Sequence, residues 1–343
     1  MTTTGCTAGV SKAEGSGRFG TLSEAEKRGV DSRRRIAVLG AGGMLGKMVV
    51  QKAPPAFDVL ALTKAQADIS DPSKTAEVLD QLSPGVVINC GAVTDVDGCE
   101  RTPQTAESVN GMAPGNLAAW CLAAGALLVH VSTDFVFDGN KKTPYVESDP
   151  PNPLSAYGRS KLLGEERVAA SGIKRYFIVR TSWLYGPWGR NFVDTMVRLL
   201  LDREVLSVVS DQVGSPTYTE DLAEAIFDLV RLDGDARRLG SRGGEGKDGA
   251  AVHGIYHFAD RGACSRYELA ERIAHELVRL GLPVKARKIR PIRTEDYPLP
   301  ARRPAYSVLS TDKFRTVTGK SVPDWREALA RYLESRFGGG ASG

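Results

Sequence analysis

Disulfide bridging is the first thing this sequence has little means for. Its five cysteines (Cys6, Cys90, Cys99, Cys121, Cys264) are odd in number and share no paired spacing. That excludes a cystine-stapled secreted scaffold and suits a reducing, cytoplasmic compartment. The four histidines (His130, His253, His257, His275) form no ligand cluster with them, so no metal is expected. No apolar run approaches the roughly 20 residues of a membrane span, and none near the start reads as a secretory signal. Charge is close to balanced at +4 over 343 residues, so neither nucleic acid nor a membrane is an expected partner. The most basic run, Arg33-Arg34-Arg35, abuts the first strand and reads as a solvated linker.

What is present is an alternation of short apolar runs with helical segments. Residues 1–34, rich in Gly, Ser, Thr and charge, read as a disordered lead. Strands are expected at Ile36–Leu39, Asp58–Leu62, Val86–Cys90, Leu127–Ser132 and Tyr176–Arg180. Helices are expected from Met44 to Lys52, Pro72 to Leu82, Pro103 to Ala124 and from Ala156. Strands separated by helices of that length make βαβ units. The runs lack period-two alternation, as strands covered on both faces should. The fold class is therefore α/β, a doubly wound parallel sheet (Rossmann-like), with residues 35–180 as a dinucleotide-binding domain. Residues 181–337 read mainly as a smaller C-terminal substrate-binding lobe. Within it, 233–251 is expected to be a flexible loop, and 338–343 a disordered tail.

Gly40-Ala41-Gly42-Gly43-Met44-Leu45-Gly46 directly follows a strand and opens a helix. Glycines permit positive φ and close backbone approach, and a helix N-terminus offers free N–H groups to a diphosphate. The other reading is a tight turn with no ligand. The second strand ends in Leu62-Thr63-Lys64, where a hydroxyl and a cation suit the 2′-phosphate of NADP better than the bare ribose of NAD. Lys64 reads equally as a solvated charge. NADPH is thus the expected cofactor, with NADH as the alternative. Asp68, just beyond, is expected to approach the adenine edge. Small residues at Asn89-Cys90-Gly91-Ala92 let a cofactor cross the sheet edge. Asp95 and Asp97 read as capping or turn residues. Asn110 is either an indifferent helix residue or one that orders a lysine through water.

Ser132 and Thr133 end the fourth strand at the carboxyl edge, where ligands bind in such sheets. Tyr157 and Lys161, four apart, share one helix face. A neighbouring ammonium is expected to lower the tyrosine's pKa toward acid/base use. Thr133 can donate to a substrate oxygen as charge develops on it, and Ser132 is expected to face the cofactor. The competing reading is a core tyrosine beside a snorkelling lysine.

At these residues the chain resembles the extended short-chain dehydrogenase/reductases and, within them, the dTDP-4-dehydrorhamnose reductase family. The likeness spans about residues 35–336. It rests on the glycine turn, Ser132-Thr133-Asp134-Phe135-Val136-Phe137-Asp138-Gly139, Tyr157-Gly158-x-x-Lys161, Arg180-Thr181-Ser182-Trp183, Asp211-Gln212-x-Gly214-x-Pro216-Thr217 and Ala301-Arg302-Arg303-Pro304. The resemblance implies NADPH- or NADH-dependent reduction of a 4-keto nucleotide sugar, and a homodimer is compatible with it. Tyr157 would then be the proton donor, Lys161 its activator and Thr133 the ketone-polarising donor. Thr133, Asp134 and Trp183 would line the sugar site. Gly42, Gly43 and Met44 would hold the diphosphate, and Thr63, Asp68, Ile69, Gly91, Ala92 and Val93 would line the cofactor. Arg302 and Arg303 suit a nucleotide diphosphate as bidentate donors, and Asn191 is expected to assist. Phe135 stands where many relatives carry tyrosine, and no acidic residues follow Gly46 to bridge a metal. A non-catalytic regulatory subunit of methionine adenosyltransferase and a sugar-nucleotide epimerase or dehydratase share the scaffold. The Arg180–Trp183 and Asp211-Gln212 blocks favour the reductase over the regulatory subunit.

Overall fold

Apolar runs with no polar face can be accommodated only between two layers, and four of the first five settle there, while the run Asp58–Leu62 takes the sheet's partly exposed edge. The structure, a computed structural model, describes residues 35–240 and 252–338. Strands β1 (Arg35–Leu39), β2 (Asp58–Leu62), β3 (Val86–Asn89), β4 (Leu127–Thr133) and β5 (Tyr176–Thr181) come first. They alternate with helices α1 (Met44–Gln51), α2 (Pro72–Leu82), α3 (Val96–Arg101), α4 (Pro103–Ala106), α5 (Ala113–Ala124) and α6 (Ala156–Ala170). All pairings are parallel, in the order β5-β4-β3-β1-β2. Val38, Ile88, Val129 and Val179 fill one face. Leu39, Val87, Leu128 and Ile178 fill the other, against α2 and α5. Each such side chain contributes about 1.5–3 kcal/mol when fully buried.

The winding reverses between β1 and β3, which opens a crevice at the carboxyl ends of those strands. Two glycines close its floor. Gly40 has φ +73°, and a Cβ there would stand 2.7 Å from the Gly91 nitrogen.

The second half contributes to both parts of the molecule. A lobe is built from β6 (Leu184–Tyr185), α7 (Phe192–Asp202), β7 (Val205–Val209), β8 (Val213–Gly214) and β9 (Thr217–Tyr218), continuing through α8 (Thr219–Gly240). After β10 (Gly254–His257) come β11 (Cys264–Ser265), α9 (Arg266–Arg279), β12 (Lys288–Ile292), α10 (Asp312–Thr318) and α11 (Trp325–Phe337). β10 leaves the lobe and adds a sixth parallel strand beside β5. Sequence order therefore does not divide the chain cleanly at residue 180.

Two expectations change. The helix expected over 103–124 is preceded by the short α3 and interrupted by a π-helical segment, Glu107–Met112. The loop expected from Asp233 begins as helix instead, because α8 runs on to Gly240. Asp233 is buried and receives Arg175 Nη2 at 2.7 Å, with His253 Nε2 3.0 Å away. The rest of that loop, the N-terminal lead and residues 339–343 lie outside the described residues. Among the described residues, no helix is long and apolar enough to cross a membrane.

Candidate active site

The glycine turn forms a cradle that side chains would fill. A Cβ on Gly46 would lie 2.3 Å from the Gly40 carbonyl oxygen, so α1 packs against the turn only with glycine there. Gly43 caps α1 and donates its N–H to Gly40 O at 3.0 Å. The first turn of α1 carries no acidic residue. A Cβ on Gly42 would meet nothing nearer than Thr63 Cγ2 at 3.8 Å, so open space lies above the helix N-terminus. An unoccluded helix start with free N–H groups fits a dinucleotide diphosphate.

At the end of β2, Gln66 Oε1 accepts from both the Thr63 N–H and the Thr63 hydroxyl, each at 2.9 Å. Lys64 is a largely exposed cation, 3.6 Å from Asp68. Asp68 accepts from the hydroxyl and N–H of Ser70, which lower its pKa. Ile69 lies against Gly91, whose added Cβ would fall 2.9 Å from Ile69 Cδ1. These residues line one edge of the crevice.

Asn110 takes a different role from the one expected of it. It is fully buried in the π-helical segment. Its Oδ1 accepts from Val93 N at 2.9 Å, and its Nδ2 donates to Val93 O at 3.0 Å and to Ser160 Oγ at 3.1 Å. With those bonds it ties the Gly91-Ala92-Val93 loop to α6.

Helix α6 starts at Ser155, whose Oγ accepts from Gly158 N at 3.1 Å. A Cβ on Gly158 would sit 2.2 Å from Phe135 O, so α6 presses directly on the turn after β4. That contact brings Tyr157 beside Thr133 and sets it edge-on to Phe135, with ring centroids 5.6 Å apart. Tyr157 is half-buried, and the protein around its hydroxyl pushes its pKa well above the ordinary tyrosine range. Thr133 opposes this shift, whereas Asp134 and Cys99 add to it. The expected lowering by Lys161 is therefore not found. Lys161 is 2% exposed and donates to Val131 O at 2.6 Å. Burial brings its own pKa down to about 8, against the charges of Glu165 and Cys90.

Adjacent residues at the end of β4 part company. Thr133 Oγ1 donates to Asp134 Oδ1 at 3.1 Å and accepts from Phe135 N at 3.2 Å. Ser132 does not face the cofactor crevice, because its hydroxyl is directed beneath α6 and donates to Glu165 Oε1 at 2.5 Å. Glu165 in turn holds the guanidinium of Arg180 (Nε at 3.0 and 3.1 Å, Nη2 at 2.6 Å).

Asp134 is 1% exposed and accepts from Ser182 Oγ at 3.1 Å. Burial raises its pKa to about 6, against hydrogen bonds from Ser307, Thr133 and Ser182 and the charge of Arg266. Trp183 follows, in the left-handed region at φ +47°. A Cβ on Gly214 would come 2.5 Å from the Trp183 ring, so that glycine makes room for the indole. Arg266 lies over the Trp183 ring at 3.5 Å and over Phe192 at 4.9 Å. Burial lowers its pKa to about 10.

Arg266 was not anticipated from the sequence. The available clue is its place in the first turn of α9, where a cation opposes the helix dipole. It lines a cavity of about 910 Å³ in the lobe, together with Phe192, Arg203, Gln212, Arg302 and Arg303. Arg302 is exposed there. Arg303 is not a free diphosphate donor, because Asp97 takes it bidentately at 2.7 and 3.2 Å. Asn191 is also otherwise engaged. It caps α7, and its Nδ2 donates to Gly186 O at 2.9 Å and Gly189 O at 3.3 Å, which holds that loop against Met44. Among the described residues, no group of three His, Cys, Asp or Glu is arranged to hold a metal ion.

Comparison with known proteins gives the family and the fold. The RmlD substrate binding domain family matches residues 34–337. A dTDP-4-dehydrorhamnose reductase of Burkholderia thailandensis is 39% identical over 297 residues, covering 86% of this chain and 96% of that protein. The spore coat polysaccharide biosynthesis protein SpsK of Bacillus subtilis is 40% identical over 303 residues, covering 88% and 98%. Among solved structures, the dTDP-4-dehydrorhamnose reductase of Bacillus anthracis in complex with NADP superposes with a TM-score of 0.78 at 35% identity. That match covers 88% of this chain and 99% of the other.

Proposed function

The chain belongs to the RmlD substrate binding domain family, and from that premise we propose that it reduces the 4-keto group of dTDP-4-dehydrorhamnose with a nicotinamide dinucleotide. The observation that carries this reading is the meeting of three elements at one sheet edge. They are the open cradle at Gly40–Gly46, the Thr133–Tyr157–Lys161 group and the guanidinium-lined cavity that Arg266 joins to Asp134.

When bound, the dinucleotide supplies the hydride. Gly40, Gly42, Gly43, Met44 and Gly46 hold its diphosphate. Thr63, Lys64, Asp68 and Ile69 take the adenosine end, and Gly91, Ala92 and Val93 line its path. Lys64, with no acidic residue in its place, favours NADPH over NADH.

A tyrosine whose pKa is pushed upward is a protonated tyrosine, which is the form that reduction of a ketone requires. Tyr157 gives its proton to the carbonyl oxygen. Thr133 donates a hydrogen bond to the same oxygen as charge develops. The phenolate left behind needs a cation, and Lys161 as ammonium supplies it. Trp183 forms an apolar wall for the sugar, and Arg266 with Arg302 supplies charge toward the diphosphate. Cys90, Cys99, Cys121 and Cys264 are free thiols, as suits a cytoplasmic enzyme.

The test is the loss of NADPH absorbance on adding dTDP-4-dehydro-L-rhamnose, with the product sugar identified by mass and NMR. Consumption that depends on this substrate supports the reading. No turnover with verified substrate and either cofactor overturns it.

A further inference from the structure

On the face of the sheet beneath α6, the register aligns a row of polar side chains across four strands. Asn89 of β3 pairs with His130 of β4, Ser132 with Arg180 of β5, and Arg180 with His257 of β10. All five residues are 3% exposed or less. The helix above supplies Lys161 over His130 and Glu165 over Ser132 and Arg180. The proposed mechanism uses only the lysine of this seam.

The hydrogen bonds fix the state of the His130 ring. The Gly91 N–H donates to Asn89 Oδ1 at 3.0 Å, which sets the orientation of that amide. Asn89 Nδ2, a donor, then faces His130 Nδ1 at 3.1 Å. Nδ1 must accept, so the ring hydrogen of the neutral imidazole resides on Nε2. Nε2 lies 3.5 Å from Lys161 Nζ. An Nε2–H opposite an ammonium sets donor against donor, whereas opposite an amine it finds a lone pair. The same amine donates to Val131 O at 2.6 Å.

We infer that His130, fixed in its Nε2-protonated tautomer by Asn89, is a positioning residue for Lys161. It receives the uncharged amine in a resting pose and offers the ammonium no acceptor. The charged lysine is thereby released toward Tyr157, one helical turn earlier. The relay begins at the Gly91 N–H, in the loop assigned to the cofactor path, and so couples that loop to the lysine's charge. The lysine's other titratable neighbours are Glu165 on its own helix and Cys90 after β3. Arg180 of β5 is held by Glu165. Burial and Lys161 both hold His130 far below the usual histidine range, in agreement with a neutral ring.

The tautomer claim stands on geometry alone, while the link to turnover rests on the reductase reading, and the experiment separates the two. The full chain labelled with [15N]histidine is observed by NMR from pH 6 to 9 without ligand, and His130 is assigned by His130→Gln. His257 is an internal reference of opposite type. Its Nε2 faces Arg180 Nη1 at 3.4 Å and its Nδ1 faces Tyr145 O at 3.1 Å, so its hydrogen belongs on Nδ1. The expected spectrum shows His130 neutral, protonated on Nε2 and not titrating. A ring protonated on Nδ1, or one that gains charge in this range, overturns the proposal whatever the enzyme reduces.

With substrate, His130→Leu is expected to lower kcat about tenfold or more with KM for the sugar unchanged. His130→Gln, whose amide can accept from Asn89 and donate to the lysine, is expected to restore most of it. Equal kcat loss in Leu and Gln, with the wild-type tautomer as stated, removes the positioning role.

Discussion

Replacing Glu165 by leucine strands one of the most completely buried cations in the molecule. Arg180 is 2% exposed and has three contacts of 3.1 Å or less with the Glu165 carboxylate. Without it, the guanidinium retains His257 Nε2 at 3.4 Å, the face of Phe137 at 5.1 Å and the weaker attraction of the Glu147 carboxylate. Removing one member of a buried ion pair costs about 3–5 kcal/mol, because the other charge stays desolvated and unpaired. Domain stabilities are about 5–15 kcal/mol, so this is about a fifth of the total or more. With a urea m-value of about 3 kcal/mol/M, the unfolding midpoint falls by about 1–1.7 M. The double variant Glu165→Leu/Arg180→Leu removes both charges together, leaving Ser132 and His257 as the neutral polar groups beside them, and is expected to recover most of the loss. Urea titrations followed by circular dichroism on wild type, both single variants and the double variant give the coupling, expected to be about 2 kcal/mol or more. A midpoint within about 0.3 M of wild type for Glu165→Leu, or a double variant that loses the sum of the singles, refutes the reasoning. Turnover carries a second signature. The Glu165 charge raises the proton affinity of Lys161, so its loss should move the alkaline limb of kcat to lower pH.

Other perturbations follow from single contacts. Gly46→Ala pushes a Cβ to 2.3 Å from Gly40 O, with backbone on both sides, and should cost about 1–3 kcal/mol by urea denaturation together with most of the NADPH affinity by fluorescence titration. Gly42→Ala meets open space and should cost at most about 0.5 kcal/mol, and an equal loss in the two would contradict the cradle. Asp134→Asn should trade activity for stability. The Asp134 pKa is raised to about 6 by burial, so folding favours its neutral form and ionisation costs stability as pH rises from about 4 through 6. The Asn variant should therefore melt higher than wild type at pH 8, by about 2–3 kcal/mol, with the gap closing toward pH 4; a gap that widens on acidification contradicts the assignment. Lys64→Asp should shift the NADPH:NADH affinity ratio toward NADH by about tenfold or more, and an unchanged ratio removes Lys64 from that role.

The first five strands were legible because each is a mainly apolar run without the period-two alternation of a half-exposed strand, although β2 proves to be a partly exposed edge. The glycine turn was legible for the same local reason, lying between a strand and a helix. β10 was not assigned to the main sheet, since nothing within Gly254–His257 tells whether it pairs with the lobe or with β5, some 75 residues earlier. Ser132 and Thr133 look interchangeable as letters, yet the pleat sends neighbours to opposite sides, and only the position of Glu165 decides which hydroxyl goes beneath the helix. Asn110, Asn191 and Arg303 are polar groups whose sequence context is open to ligand binding. Each is instead consumed by a partner far along the chain or by a loop it caps, and such partners are visible only in three dimensions. Arg266 went the other way, with a guanidinium in an unfavourable place on its own helix that becomes intelligible beside Trp183 and Asp134. The sign of the Tyr157 shift was misjudged because proximity of a lysine was weighed without the burial that both residues share.

The central claim is that Tyr157 is the proton donor of a nicotinamide-dependent ketone reduction. The most direct measurement compares wild type and Tyr157→Phe for NADPH consumption with dTDP-4-dehydro-L-rhamnose, alongside NADPH affinity for each. The account predicts a fall in kcat of about 100-fold or more, with cofactor affinity unchanged. Turnover by the phenylalanine variant within a few-fold of wild type would contradict it.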